Sequence, residues 1–96
     1  MNTMDLIRLK REEIRRIAER HGVTSIRVFG SVARGEATPE SDVDFLVEVG
    51  PATSSWFPAG LILDLEELLG RRVEVVTDRA LNAELRNRVL AEAVPV

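Results

Sequence analysis

Three short stretches of the chain alternate between apolar and other side chains, and this pattern predicts three β-strands. The predicted strands cover residues 25–29, 41–49 and 72–77. All three contain valine, and the first also contains isoleucine and phenylalanine, residue types that are common in strands. The stretches between them show a longer apolar period, so the pattern predicts strands that are separated by helices.

The first helix is expected over residues 4–21, where apolar residues recur every three or four positions against a charged opposite face. This apolar stripe is expected to pack on the core and leads into the first strand. His21, which stands at the end of this helix before Gly22, is expected to interact with the helix dipole rather than to act as a catalyst. It is the only histidine, which excludes a site built from several histidines.

Two further helices follow the second and third strands. One is expected over residues 58–69, because Pro58 lies near its start, leucines repeat along one face and Gly70 stands just past its end. The other is expected in the last segment, with Asp78 as a possible N-cap and Pro95 beyond its end. Its apolar repeat consists of Leu81, Leu85 and Val89.

The first strand is followed by a turn suited to binding phosphate. Gly30 and Ser31 interrupt the strand, and a brief helix is expected to follow and to end at Gly35. The first turn of a helix has free backbone N–H groups, which attract anions. Gly30 has no Cβ and lets a phosphate approach the backbone, while the Ser31 hydroxyl can donate a further hydrogen bond.

The second predicted strand carries two acidic residues on one face. Asp42 and Asp44 are two residues apart, so their side chains point the same way, with backbones roughly 6.5 Å apart. They can therefore converge on one divalent cation or bridge two ions held about 3.5 to 4 Å apart. Oxygen ligands suit Mg²⁺ or Mn²⁺. An isolated pair of this kind is often no more than the solvated face of a strand, and the preceding Gly30-Ser31 turn is what favours a metal site.

Glu74 supplies a third candidate carboxylate on the third predicted strand. It is the polar interruption in an otherwise apolar stretch. As a functional residue it would be a metal ligand or general base. The alternative is an exposed glutamate on an edge strand.

Taken together, these motifs resemble the minimal nucleotidyltransferases, small relatives of the DNA polymerase β superfamily. The resemblance rests on Gly30-Ser31, a ten-residue spacer containing Arg34-Gly35-Glu36, the Asp42-x-Asp44 pair and a carboxylate on a later strand. It covers most of the chain. It implies a single nucleotidyltransferase domain over residues 1–96 with an α/β (α+β) fold, in which a small mixed sheet is backed by helices.

The resemblance also implies the chemistry. Asp42, Asp44 and Glu74 would be catalytic and would hold two Mg²⁺ ions, and Gly30 and Ser31 would hold the β- and γ-phosphates of ATP. A hydroxyl would attack the α-phosphorus and release pyrophosphate. The family more often has aspartate where this chain has Glu74, and the extra methylene can misplace the carboxylate enough to slow transfer.

Two further side chains are candidates for nucleotide contacts. Arg34 lies in the spacer, and its planar guanidinium matches phosphate geometry. The alternative is that Arg34 pairs with Glu36 or Glu40 and only fixes the loop. Trp56 follows a loop and could stack on a base, although such a tryptophan more often caps a helix or lies in a partner interface.

Composition narrows the function classes. The net charge is −3 and the 13 basic residues are mixed with 16 acidic ones, so no basic run predicts direct nucleic-acid binding. The chain has no cysteine, which excludes disulfides and thiol chemistry. The sequence shows no signal-peptide pattern and no long apolar run, so we expect a cytoplasmic protein that is not inserted in a membrane.

The resemblance implies a partner as well. In this family the usual partner is an all-helical HEPN-type ribonuclease toxin, and the implied reaction is transfer of AMP from ATP to a tyrosine hydroxyl of that toxin by the antitoxin. One alternative is transfer to a small hydroxylated molecule such as an aminoglycoside, for which a homodimer could build the pocket. The other is a non-catalytic antitoxin that binds and blocks its toxin. No second domain is expected, so a second chain would supply the acceptor.

Overall fold

The computed structural model describes residues 2–53 and 56–96, and within them the chain forms five α-helices, one short 3₁₀ helix and four β-strands. In chain order these are α1 (Thr3–Leu9), α2 (Arg11–Arg20), β1 (Val23–Phe29), α3 (Gly30–Arg34), β2 (Val43–Val49), α4 (Ala59–Leu69), β3 (Val73–Thr77), the 3₁₀ turn (Asp78–Ala80), α5 (Ala83–Glu92) and β4 (Val94–Pro95).

The strands form one mixed sheet in the order β3-β2-β1-β4. β1 runs antiparallel to both β2 and β4, whereas β2 and β3 are parallel. Helix α4 makes the crossover between the parallel strands, which cannot be joined by a tight turn. The expected small mixed sheet with helices is therefore confirmed.

One face of the sheet carries the main core. Along β2 the side chains of Val43, Phe45 and Val47 are fully buried, in keeping with strand alternation. Helices α2 and α4 pack against each other and against the sheet, and they contribute buried residues that include Ile14, Leu61 and Leu65. The helices cover this face, so Asp44 points to the opposite face.

The expectation of a single long helix over residues 4–21 is wrong, because the helix breaks at Lys10. Lys10 has φ −101° and ψ 14°, and it ends α1 and precedes α2. Ile7 and Ile14 on either side are both buried. The break lets α1 contact α3 while α2 contacts β1 and α4.

Two expectations for the last segment also need correction. Asp78 does not cap the last helix, because the Asn82 side chain accepts the Leu85 N–H at 2.9 Å and forms the N-cap of α5. Asp78 instead begins the 3₁₀ turn and pairs with Arg86. Pro95 lies beyond the helix, as expected, but it belongs to β4, a two-residue strand that pairs with β1. No helix in the described part of the chain has the length and apolar character needed to cross a membrane.

Candidate active site

The turn between β1 and α3 depends on Gly30. This residue is buried and has φ +72°, a conformation that side chains other than glycine rarely adopt. A Cβ at this position would collide with Oδ2 of Asp44 and lie 3.2 Å from its Cγ. The space that we expected a phosphate to use at Gly30 is therefore partly filled by the Asp44 carboxyl. Gly30 and Asp44 are brought into direct contact.

Helix α3 is short, as predicted, and ends in the left-handed Gly35 at φ 75°. The backbone N–H of Glu36 donates to the carbonyl of Ser31 at 2.8 Å, which closes the helix end. Ser31 therefore lies in the first turn of this helix, immediately after Gly30. The predicted phosphate-binding residues thus stand beside the acidic end of β2.

The sheet register brings two of the three predicted carboxylates together. Asp44 lies opposite Phe29 of β1 and opposite Glu74 of β3. Partner residues on neighbouring strands point to the same face, so the Asp44 and Glu74 side chains lie side by side. Asp44 is half-buried between the strands, whereas Glu74 is exposed on the outer strand of the sheet.

The electrostatics of this pair are unfavourable for two charges. Burial raises the pKa of Asp44 to about 6, and three further causes act in the same direction: the hydrogen bond that protonated Asp44 donates to Glu74, the charge of Glu74 and the charge of Asp42. The positive charge of Arg34 acts against this increase in the pKa of Asp44. Above a pH of about 6, Asp44 therefore carries a negative charge that a bound cation would stabilise.

Asp42 stands immediately before β2. Its Oδ1 lies 4.0 Å from Nε of Arg72, a contact at the limit of an ion pair with a largely exposed arginine. No three histidine, cysteine or acidic side chains within residues 2–53 and 56–96 stand in an arrangement that could hold a metal ion. Asp44 is thus close to Glu74 in the sheet, with Asp42 near enough to act through its charge.

The donor set nevertheless fits a magnesium ion. Its members are carboxylate oxygens, which hard divalent cations prefer. The raised pKa of Asp44 marks negative charge that the neighbouring side chains do not compensate. The residues that would hold such an ion are Asp42, Asp44 and Glu74, which are of the right chemical type but are not arranged as three ligands in this structure, so their roles as ligands stay a prediction.

Arg34 lies at the end of α3 and is held by two carboxylates. Its Nε donates to Oε2 of Glu36 at 3.2 Å and its Nη1 donates to Oε2 of Glu92 at 2.7 Å. The pairing with Glu36 agrees with the alternative in which Arg34 fixes the loop. Its second partner is Glu92, not Glu40 as that alternative also allowed. Sequence reasoning missed Glu92, which stands 58 residues from Arg34 and carries no local signal.

The two remaining candidates lie elsewhere. Trp56 is 76% exposed just before α4, its carbonyl accepts the Gly60 N–H of the first helical turn at 2.8 Å, and base stacking by its side chain stays a prediction. His21 does end α2, but its Nε2 pairs with Oδ2 of Asp64 on α4 at 2.7 Å. His21 therefore ties two helices together on the covered side of the sheet.

Comparison with known proteins gives consistent results. Residues 10–96 match the family model described as a nucleotidyltransferase domain. The chain is 44% identical over 80 residues to the protein adenylyltransferase MntA of Thermococcus cleftensis, an alignment that covers 83% of this chain and 81% of the relative.

Two solved structures share the fold. One, described as a candidate minimal nucleotidyltransferase, superposes with a TM-score of 0.87 at 45% identity and covers all of this chain and 97% of its own. The other is a Shewanella oneidensis complex of a tri-AMPylated HEPN toxin with an MNT antitoxin, which matches with a TM-score of 0.68 at 19% identity. That match covers 92% of this chain and 69% of the neighbour.

Proposed function

The chain belongs to the nucleotidyltransferase domain family, and on this premise we propose that it is a magnesium-dependent protein adenylyltransferase. The proposed donor is ATP and the proposed acceptor is a tyrosine hydroxyl on a HEPN-type ribonuclease toxin. The acceptor oxygen attacks the α-phosphorus, a new P–O bond forms, and the bond to the bridging oxygen of pyrophosphate breaks. The tyrosine proton leaves to a carboxylate or to water.

The observation that carries this proposal is the contact of Asp44 with both the Gly30 turn and Glu74. It brings two carboxyl side chains together beside the turn that begins α3. Phosphoryl transfer requires mainly positioning and neutralisation of charge, and a protein needs few groups to achieve both. An acidic cluster next to a backbone turn meets this requirement when a divalent cation is bound.

Each residue then has a role. Asp42 and Asp44 would hold magnesium together with Glu74, and the metal would supply positive charge for the triphosphate. Gly30 and Ser31 hold phosphate oxygens through the backbone and the hydroxyl. Arg34 adds a positive charge beside Asp44. Glu74 is close enough to Asp44 to serve as the proton acceptor if it is not needed as a ligand.

The relatives support the substrate class. A protein that is 44% identical over most of its length is named a protein adenylyltransferase, which favours a protein acceptor over a small molecule. The structural neighbour in complex with an AMPylated HEPN toxin shares this fold. The HEPN-type partner of this chain, and the antitoxin role that goes with it, are proposed on that basis.

The test is the intact mass of a HEPN-type partner after incubation with this protein, ATP and Mg²⁺. We expect a gain of one or more AMP units. The Asp42→Ala, Asp44→Ala double variant should give none, whereas Glu67→Gln, which changes an exposed acid on α4, should act like the wild type. A folded double variant that still modifies the partner would contradict the assignment of the aspartates.

A second function is favoured by one observation. Within the described ranges the acidic side chains are not arranged as three metal ligands, and Glu74 is exposed at the sheet edge. This arrangement suits an antitoxin that blocks its toxin by binding alone. In that case the partner stays unmodified in a stable complex, and the double variant still neutralises it. Glu74→Asp is then the change most suited to restoring transfer.

A further inference from the structure

The guanidinium of Arg34 is fixed by two carboxylates from distant parts of the chain. Glu36 follows it by two residues and belongs to the same loop, whereas Glu92 is the last residue of α5. The Glu92 contact is the shorter of the two, at 2.7 Å against 3.2 Å. Helices α3 and α5 are also in contact. The position of Arg34 therefore depends on a residue outside its own loop.

Glu92 is the better anchored of the two partners. Its side chain is 30% exposed, against 63% for Glu36. The chain leaves α5 after Glu92 and enters β4, which pairs with Arg27 and Val28 near the end of β1. Since β1 leads directly into α3 and α5 is followed by β4, Arg34 and Glu92 lie on helices that adjoin two paired strands of the sheet. A contact between such elements needs little rearrangement to form.

The two bonds leave part of the guanidinium available. They use Nε and Nη1, so the plane of the group is set, and no hydrogen bond within the described part of the chain occupies Nη2. Arg34 ends α3, the helix that begins at Gly30 and packs against β2, so Arg34 lies on an element that borders the proposed nucleotide site. Phosphate recognition by arginine depends on this planar fork, and a fork held in advance loses less side-chain entropy when it binds.

We propose that Glu92 is a positioning residue that orients Arg34 toward the phosphates of the nucleotide. This inference rests on the proposed function. The opposite view is that Glu92 competes with phosphate for Arg34, in which case removing its charge would strengthen nucleotide binding. The two views predict changes of opposite sign. They can be separated because glutamine keeps a hydrogen-bond acceptor and loses the charge, whereas alanine loses both.

The experiment is calorimetric titration of the intact protein with the non-hydrolysable ATP analogue AMP-PNP and Mg²⁺. We expect Glu92→Gln to bind within about twofold of the wild type and Glu92→Ala to bind about three- to fivefold more weakly, the range of an exposed ion pair. Glu84→Ala, which removes an exposed charge from the first turn of α5, should bind like the wild type. Tighter binding by both Glu92 variants would overturn the proposal.

A double-variant cycle tests whether Glu92 acts through Arg34. In the Arg34→Ala background, Glu92→Ala should cause no further loss of AMP-PNP affinity. A loss of the same size in both backgrounds would overturn the proposal, and circular dichroism identifies variants that fail to fold. If Glu92→Ala unfolds, Glu92→Gln decides between the two views, because competition predicts tighter AMP-PNP binding and a gain of more than about twofold would overturn the proposal.

Kinetics supply a second readout. Glu92→Ala should raise KM for ATP and leave kcat within about twofold, as expected when an interaction is equal in the ground state and the transition state. A wild type that does not bind AMP-PNP would end the proposed function and this inference together. A wild type that binds, with unchanged affinity in Glu92→Ala, would end this inference alone.

Discussion

Replacing Asp44 by asparagine is expected to stabilise the fold above pH 6, although it removes a residue proposed for catalysis. Burial raises the pKa of Asp44 to about 6, with Glu74 and Asp42 acting in the same direction. In an unfolded chain an aspartate has a pKa of about 3.9. Asparagine has nearly the same shape and no charge, and its amide can donate to Glu74.

The sign follows from proton binding in the two states. Below about pH 4 both the folded and the unfolded state keep the Asp44 proton, so Asp44 does not lower the free energy of unfolding. Between about pH 4 and pH 6 the unfolded state loses this proton first. The free energy of unfolding of the wild type therefore falls over this window and stays low above it. At about 1.36 kcal/mol per pKa unit, the difference between the pKa of Asp44 in the folded and in the unfolded state corresponds to about 3 kcal/mol of unfolding free energy. Asp44 still reaches water, so screening reduces this to about 1 to 2 kcal/mol.

Urea unfolding at several pH values between 4 and 8, with EDTA and constant ionic strength, measures this difference. Far-ultraviolet circular dichroism is the appropriate signal, because Trp56 is 76% exposed and its fluorescence should change little on unfolding. Glu67→Gln is the matched control and should follow the wild type throughout. The reasoning is refuted if Asp44→Asn gains nothing at pH 8, or if it gains as much at pH 4.

Four further substitutions, one of them a control, test the fold. Gly30→Ala should lower the free energy of unfolding by about 2 kcal/mol or more, because it adds a collision with Asp44 to a strained backbone. Gly35→Ala is the control: at φ +75°, with open space where its Cβ would lie, it should cost only about 1 to 2 kcal/mol. Equal losses for the two variants in urea unfolding would exclude the collision. Asn82→Ala should cost about 1 kcal/mol by removing the cap of α5, with less helical circular dichroism, and an unchanged midpoint would speak against the cap. Leu65→Ala, at a fully buried position, should cost about 2 to 5 kcal/mol in the same assay, and a loss below about 1 kcal/mol would show that this part of the core is not closely packed.

Local patterns predicted the elements whose cause is local. Strands β1, β2 and β3 were found because alternation records which side chains face the core, and the end of α4 was found because Gly70 takes a left-handed conformation there. The short α3 was found for the same kind of reason, since Gly30 and Gly35 mark both of its ends.

Features that depend on distant contacts were missed. The break at Lys10 was missed because Ile7 and Ile14 keep a helical spacing across it, while its cause is the packing of α1 on α3. Strand β4 has only two residues, one of them a proline, and it exists because β1 offers an edge to pair with. Asp78 and Asn82 are both good cap residues, and only the 3₁₀ turn decides between them.

The candidate site likewise has residues that local patterns predicted and contacts that depend on distant parts of the chain. Gly30, Asp44 and Glu74 were selected from sequence, and their contacts follow from the order and register of the strands. The register itself could not be read from one strand alone. The Glu92 contact with Arg34 required the full topology, because it joins the last helix to the turn after the first strand.

The pairing of Asp44 with Glu74 across parallel strands has a consequence for fidelity of folding. A slip of one residue between β2 and its neighbours would turn Asp44 toward the buried side and Phe45 toward water. Burying an unpaired carboxylate is costly, so a misaligned sheet is penalised by the same side chain that the proposed function needs. Asp44→Ala should therefore also make strand pairing less specific. Without the carboxylate, alternative alignments of the sheet would lie closer in energy to the correct one.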